Sequence, residues 1–265
     1  KELFMPILKL LKQIYKDYSV IPNEARNFSG FYLGNFFKLT IDKTIKTIGY
    51  IWHFFFRNRK YVEKLVVVGN YKVLPNNMSK NSVIYSCGIA ENIRFDEAIS
   101  NKFGCDVFMF DPTKQSLKFM NSINNPKLKF FNIGIWKFDG NIKFYQLKEN
   151  INLSVTNLFN TEKHFTLPCK SIDTLMKEYN QSTIDILKMD IEGASFEILN
   201  DLLDKNIYPI QIVVELERPF FIFGASLYEL FSYLNKRRKL HYRLKNAGYD
   251  LVELDANELL AIKIV

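Results

Sequence analysis

Cysteine, proline and glycine are scarce in this 265-residue chain, at three, eight and eleven residues. Cys87, Cys105 and Cys169 are an odd number and form no CxxC pair. That excludes a disulfide framework and points to a reducing compartment, the cytoplasm. A composition of 48% hydrophobic, 15% aromatic and 24% charged residues excludes a disordered, collagen-like or coiled-coil chain. His53, His164 and His241 are scattered and make no metal-ligand spacing. No apolar run approaches the roughly 20 residues of a membrane span. What remains is a chain able to bury a full core, with the length of one domain of about 200 residues plus an appendage.

The net charge of +8 is unevenly spread. Residues 1–64 hold 12 basic and 5 acidic side chains, whereas 65–265 hold 24 and 23. The same first quarter is rich in aromatics, among them Phe36, Phe37, Tyr50, Trp52, Phe54, Phe55 and Phe56. A basic, aromatic surface meets anions. Residues 47–56 are uncharged but too few to span a bilayer, and would lie in the interface with Lys43, Lys46, Arg57 and Arg59 at the headgroups. The segment fits equally a helical appendage whose aromatics dock on the main domain. Two partners stay open for residues 1–64, a membrane surface or a partner enzyme. Nucleic acid is not expected, because no RNA-stacking or helix-turn-helix signature is present. No small-residue cleavage site follows the apolar stretch, so it does not read as a signal peptide. The run Lys236-Arg237-Arg238-Lys239 reads as a solvated helix end.

From residue 65 strands and helices alternate. Residues 65–68 and 71–74 around Gly69-Asn70 read as a short hairpin ended by Pro75. Strands are expected at 82–86, 106–110, 127–131, 141–147, 165–170, 184–189 and 210–215, and helices at 92–102, 113–123, 171–179, 193–203 and from about 227. Thr113 and Ser171 stand as N-caps. Residues 150–160 are polar and loop-like, and 249–254 with 258–264 read as a closing antiparallel pair. Short apolar strands alternating with helices predict an α/β fold, a doubly wound, mostly parallel sheet with helices on both faces and a helical N-terminal appendage. Ligands of such sheets sit at the carboxyl ends of the strands. Polar residues and glycines cluster there, at Ser86-Cys87-Gly88, Asp111-Pro112, Asn132 and Gly134, Asp190 with Glu192-Gly193, and Glu215 with Glu217.

A dinucleotide would require GxGxxG after the first strand. The loop here is Cys87-Gly88-Ile89-Ala90-Glu91-Asn92, with one glycine and an acid that repels a pyrophosphate. A nucleoside cofactor without phosphates, S-adenosylmethionine, matches better. Asp111 lies 23 residues after Gly88 at the end of the second strand. This is close to the offset of an acid that grips ribose hydroxyls.

The blocks 83–96 (VIYSCGIAENIRFD), 104–113 (GCDVFMFDPT) and 184–197 (IDILKMDIEGASFE) occur in order. Together they resemble class I S-adenosylmethionine-dependent methyltransferases, and more narrowly the FkbM-type and methyltransferase-like relatives. Cys87, Ala90 and Ser195 depart from the pattern, standing where Phe, Gly and Glu are usual, and residues 1–64 find no counterpart. The resemblance implies a Rossmann-like, seven-stranded sheet with a final antiparallel strand. It implies cofactor contacts at Ser86, Cys87 and Gly88 for the methionine end, Asp111 for the ribose, and Gly134, Ile135 and Trp136 for the adenine side. Glu91, Asn92, Pro112 and Asp190 complete the expected cofactor-binding set. The family's acceptors are mostly hydroxyls of sugars and natural products.

Methyl transfer to oxygen needs an aligned hydroxyl relieved of its proton. Asp190 is the candidate base, with Lys188 to orient it or to hold the acceptor oxygen, and Glu215 near the same edge. Neighbouring carboxylates would instead suit a hard divalent cation, Mg or Mn. The expectation is an O-methyltransferase acting on a sugar or glycan hydroxyl. The alternative is a non-catalytic cofactor-binding module, targeted to a membrane or partner by its basic N-terminus.

Overall fold

The computed structural model describes residues 59–146, 153–155, 161–191, 193–216, 227–254 and 257–264. Most of the basic, aromatic segment 1–64 lies outside the described residues, so the expected helical appendage is not described. A short helix α1 (Arg59–Val62) leads into the hairpin of β1 (Val66–Val68) and β2 (Tyr71–Val73).

The main sheet has seven strands. They are β3 (Ile84–Cys87), β4 (Val107–Phe110), β5 (Leu128–Phe131), β10 (Ile186–Met189), β11 (Gln211–Glu215), β12 (Tyr249–Glu253) and β13 (Glu258–Lys263). Their order is β12-β13-β11-β10-β3-β4-β5. Strands β11, β10, β3, β4 and β5 pair in parallel, and β13 runs antiparallel to both neighbours. This is the expected mostly parallel sheet with an antiparallel closing strand. The central strands are apolar because both faces are covered. Ile84, Ile186 and Val213 enter one core with Phe95 and Ile99 of α2 (Arg94–Phe103), Met120 of α3 (Lys114–Met120) and the hairpin. Tyr85, Leu187 and Ile212 enter the other, with Leu175 of α4 (Ile172–Glu178), Leu199 of α5 (Ser195–Asp204) and Leu240 of α6 (Leu227–Asn246). Thr113 caps α3 as expected, its Oγ1 accepting from Ser116 N at 3.2 Å. Ser171 holds the N-cap position of α4 without bonding its backbone.

A second sheet, in the order β6-β9-β7-β8, contains β6 (Gly134–Ile135), β7 (Gly140–Gln146), β8 (Leu153–Ser154) and β9 (His164–Lys170). The polar stretch 150–160 therefore is not loop throughout. Leu153 and Ser154 pair with Gln146 and Tyr145. A two-residue strand pinned by its neighbour is too short for a polarity pattern to reveal.

The basic run 236–239 also departs from expectation. Arg237 is buried on the inner face of α6 and forms an ion pair with buried Glu253 of β12. Arg237 Nη1 donates to Tyr233 Oη at 2.9 Å, and Tyr233 Oη donates to Leu216 O at 3.1 Å, just beyond the end of β11. His241 Nε2 lies 3.2 Å from Glu253 Oε1. Burial, then the charges of Arg237 and Lys245, push the His241 imidazole down to about 3 from its ordinary 6.5. Between those values the unfolded chain binds a proton that the folded chain does not. Stability is expected to fall as the pH drops below 6.5, by up to about 1.4 kcal/mol per pH unit from this group. Urea unfolding across pH 4–7 checks this, with His241→Phe expected to flatten the slope.

Candidate functional site

The carboxyl ends of β3, β4 and β10 open into a cleft of about 1050 Å³, its solvent-open mouth included. Its floor is the turn after β3. Gly88 takes φ +76°, and its N–H donates to Phe110 O at 3.0 Å. A Cβ at this position would meet Asp190 O at 1.9 Å. Only glycine allows the β3 and β10 termini to approach this closely. Lys188, buried at 4% side-chain exposure, donates to Gly88 O at 2.5 Å and ties the two strand ends together.

Asp111 holds the next segment of the turn. Its Oδ2 accepts from Ile89 N at 3.1 Å and Ala90 N at 3.0 Å, and its Oδ1 from Thr113 N at 2.9 Å and Thr113 Oγ1 at 2.6 Å. A carboxylate has about four acceptor positions, and here each oxygen already carries two bonds. Ala90 is held at φ +44°, a left-handed conformation that costs an L-residue roughly 1–2 kcal/mol. The Asp111 carboxylate offsets that strain.

Across the turn, Asp190 Oδ2 accepts from Tyr71 Oη at 2.9 Å and lies 3.9 Å from Lys188 Nζ. Oδ1 has no protein partner among the described residues, and the side chain is 38% exposed. Burial first, then the Asp190 carboxylate, push the Tyr71 phenol far above its ordinary range. Tyr71 is therefore a fixed donor, not a base.

The far end of the cleft is apolar. Ile135, Phe144 and Leu153 come from the second sheet and meet Pro112 there. A Cβ on Gly134 would touch Cys169 Sγ at 2.6 Å and Pro112 Cγ at 3.2 Å, so this glycine keeps the slot open.

Of the residues singled out in the sequence, Gly88, Asn92, Asp111, Pro112, Gly134, Ile135, Lys188 and Asp190 line this one cleft. Ser86 and Cys87 lie fully buried beneath it, and burial pushes the Cys87 thiol up to about 12, which leaves it inert as a nucleophile. Ser86 faces Asp96 of α2, whose buried carboxyl is raised by desolvation and pulled back by Lys188 and Ser86. Glu91 is exposed on the outside of the turn. Glu215 ends β11, opposite Glu258, and is not part of the lining. Glu192 lies outside the described residues. Among those described, no group of three His, Cys, Asp or Glu side chains gathers to hold a metal ion. Tyr71, Phe144 and Leu153 line the cleft without having been singled out. The only trace of Tyr71 in the sequence was its place beside Gly69-Asn70.

The model of the FkbM methyltransferase domain matches residues 66–251. A search of curated proteins gives no match. Among solved structures, a fibrillarin pre-rRNA processing protein of Methanococcus jannaschii is 10% identical with a TM-score of 0.38, covering 78% of this chain and 84% of that one. The precorrin-6y C5,15-methyltransferase of Geobacter metallireducens is 12% identical, TM-score 0.35, over 71% of this chain and 84% of that one. Human N-acetylserotonin methyltransferase, in complex with SAM, is 13% identical, TM-score 0.32, over 69% and 48%. At these scores the structural likenesses carry no argument, and the family match stands on residues 66–251 alone.

Proposed function

Since the chain belongs to the FkbM methyltransferase family and is thereby an S-adenosylmethionine-dependent methyltransferase, we propose that it methylates a hydroxyl oxygen of a sugar or glycan, with Asp190 as the general base. One observation carries the choice of base. Two carboxylates line the cleft. Asp111 has both oxygens bonded to the turn, whereas Asp190 keeps Oδ1 free of protein partners among the described residues.

The cleft suits the cofactor. This reading assigns the bare backbone of Gly88 to the methionine end, the turn held by Asp111 to the ribose, and the apolar Pro112, Ile135 and Phe144 to the base. Bound S-adenosylmethionine supplies a cationic, electrophilic methyl group. The chain's own residues do the rest. Lys188 and Asp111 hold the turn in shape, the cleft walls align the acceptor, and the hydroxyl proton passes to Asp190 Oδ1 as the oxygen takes the methyl. The sugar or glycan acceptor rests on the sequence resemblance to a family that acts mostly on such hydroxyls.

The test is calorimetry with S-adenosylhomocysteine, followed by methyl transfer to a panel of free and lipid-linked sugars. Asp190→Asn is expected to bind S-adenosylhomocysteine like wild type and to lose transfer by about 10²–10⁴-fold. Asp111→Ala is expected to lose binding itself. Transfer by Asp190→Asn at the wild-type rate, or methylation of amines alone, overturns the reading.

A further inference from the structure

The hairpin β1–β2 is clamped at three points, and each bears on one hydroxyl. Gly69 at its turn packs so tightly on the start of α2 that a Cβ would lie 2.6 Å from Arg94 and Phe95 backbone atoms. Leu74, just past β2, exchanges two 2.8 Å hydrogen bonds with the buried side chain of Gln211, which imitates a strand partner. Between these clamps Tyr71 sets its ring edge-on to Phe95, with centroids 5.6 Å apart, and reaches Asp190 with its hydroxyl. A buried ring held this way has no rotamer freedom to lose. Its hydroxyl is a preorganised donor.

We propose that Tyr71 is a positioning residue: its phenol, with the Lys188 ammonium, takes up Oδ2 of Asp190 and so presents Oδ1 to the acceptor hydroxyl. This rests on the reading of Asp190 as the base. A carboxylate turning freely offers either oxygen in a range of directions. One hydrogen bond at 2.9 Å and an ammonium 3.9 Å away, both on the same oxygen, select a single orientation, and a reacting group must be held to within about half an ångström and 10–20°. The Lys188 ammonium lies 5.5 Å from the centre of the Tyr71 ring, over its face, so the phenol and the ammonium also hold each other. Tyr71 does not take the proton. Burial and the carboxylates of Asp190, Glu215 and Glu258 keep its phenol protonated.

The experiment follows the side-chain carboxyl of Asp190 by ¹³C NMR at one neutral pH in protein saturated with S-adenosylhomocysteine, with Asp190→Asn to assign the signal. Tyr71→Phe keeps the ring and removes only the hydroxyl. Its Asp190 carboxyl signal is expected to shift, and its methyl transfer to fall about tenfold in kcat, the worth of one charge-assisted hydrogen bond, with the acceptor KM within about twofold of wild type. A carboxyl signal that stays in place overturns the proposal. Should Tyr71→Phe not fold, the Tyr71 ¹³Cζ signal decides: it is expected to differ between wild type and Asp190→Asn, and an identical signal overturns the proposal. Retained transfer in Asp190→Asn would sink the base instead, and the carboxyl signal would still report whether Tyr71 holds the carboxylate.

Discussion

Gly88→Ala is expected to abolish binding of S-adenosylmethionine and to cost about 3 kcal/mol or more of stability. Two effects add at this position, and the structure separates them. The first is backbone strain, since φ is +76°. Ala90, two residues on, shows how much that matters by itself: it is an alanine at φ +44°, tolerated because it is exposed and its N–H is bonded to Asp111. Strain alone is therefore survivable at about 1–2 kcal/mol. The second effect has no such escape. A methyl group at Gly88 would sit 1.9 Å from Asp190 O and 2.8 Å from Asp190 C, both backbone atoms. No side chain can swing away, so the tips of β3 and β10 must separate. The Lys188 bond to Gly88 O and the placement of Asp190 go with them. Thermal unfolding and calorimetry with S-adenosylhomocysteine read both losses. A variant that melts and binds like wild type would show that the strand ends are not packed as described. Gly134→Ala is the useful contrast. Its nearest neighbours are the Cys169 sulfur and the Pro112 ring rather than backbone, so the slot can give and the loss should be smaller.

Arg237→Met is expected to destabilise the fold by about 3–5 kcal/mol, because it removes the guanidinium paired with a buried carboxylate. Glu253 is about 1% exposed and Arg237 about 5%. Each charge in the interior is compensated by the other. The variant also removes the Arg237 end of the relay through Tyr233 to Leu216 O, just past the end of β11. Two further results identify the cause. The double variant Arg237→Met/Glu253→Leu should recover much of the loss, since a buried ion pair replaced as a unit by apolar residues is often neutral. The deficit of the single variant should also shrink as the pH falls from 7 to 5. With Arg237 gone, one of the two charges that depress His241 is removed, and the imidazole 3.2 Å from Glu253 can take a proton and serve as its counterion. Urea unfolding at the two pH values measures all of this. Equal deficits in the single and double variants would mean that lost packing, not the unpaired charge, sets the cost.

Much of the fold was legible because buried parallel strands leave a plain trace. Ile84–Cys87, Val107–Phe110 and Ile186–Met189 are apolar runs that end abruptly in glycine or aspartate. Those endings mark where a ligand lies in a sheet of this kind. Gly88, Asp111 and Asp190 could be singled out without knowing how the strands pair. The caps and closing strands were legible for a similar reason, since their signals span only a few neighbouring residues. The second sheet was less so. Leu153 lies in a polar stretch, and its place in the cleft depends on pairing with Gln146 across a turn.

The roles within the site depend on long-range contacts. Tyr71 meets a carboxylate 119 residues away, and Leu74 is clamped by a side chain 137 residues away. Local pattern gives the face on which a side chain lies, not which distant group it meets there. For the same reason Arg237 read as part of a solvated basic run, although helical spacing carries one of its four residues inward to Glu253. Ser86 and Cys87, next to Gly88 in the chain, lie under the cleft because the strand has not yet ended there. The sequence by itself determined the sheet, the strand ends that bear the site and the family. Only the tertiary structure decided that both oxygens of Asp111 are bonded within its own turn and that Asp190 Oδ1 has no protein partner among the described residues, because hydrogen-bond partners are assigned by packing between strands far apart in the chain.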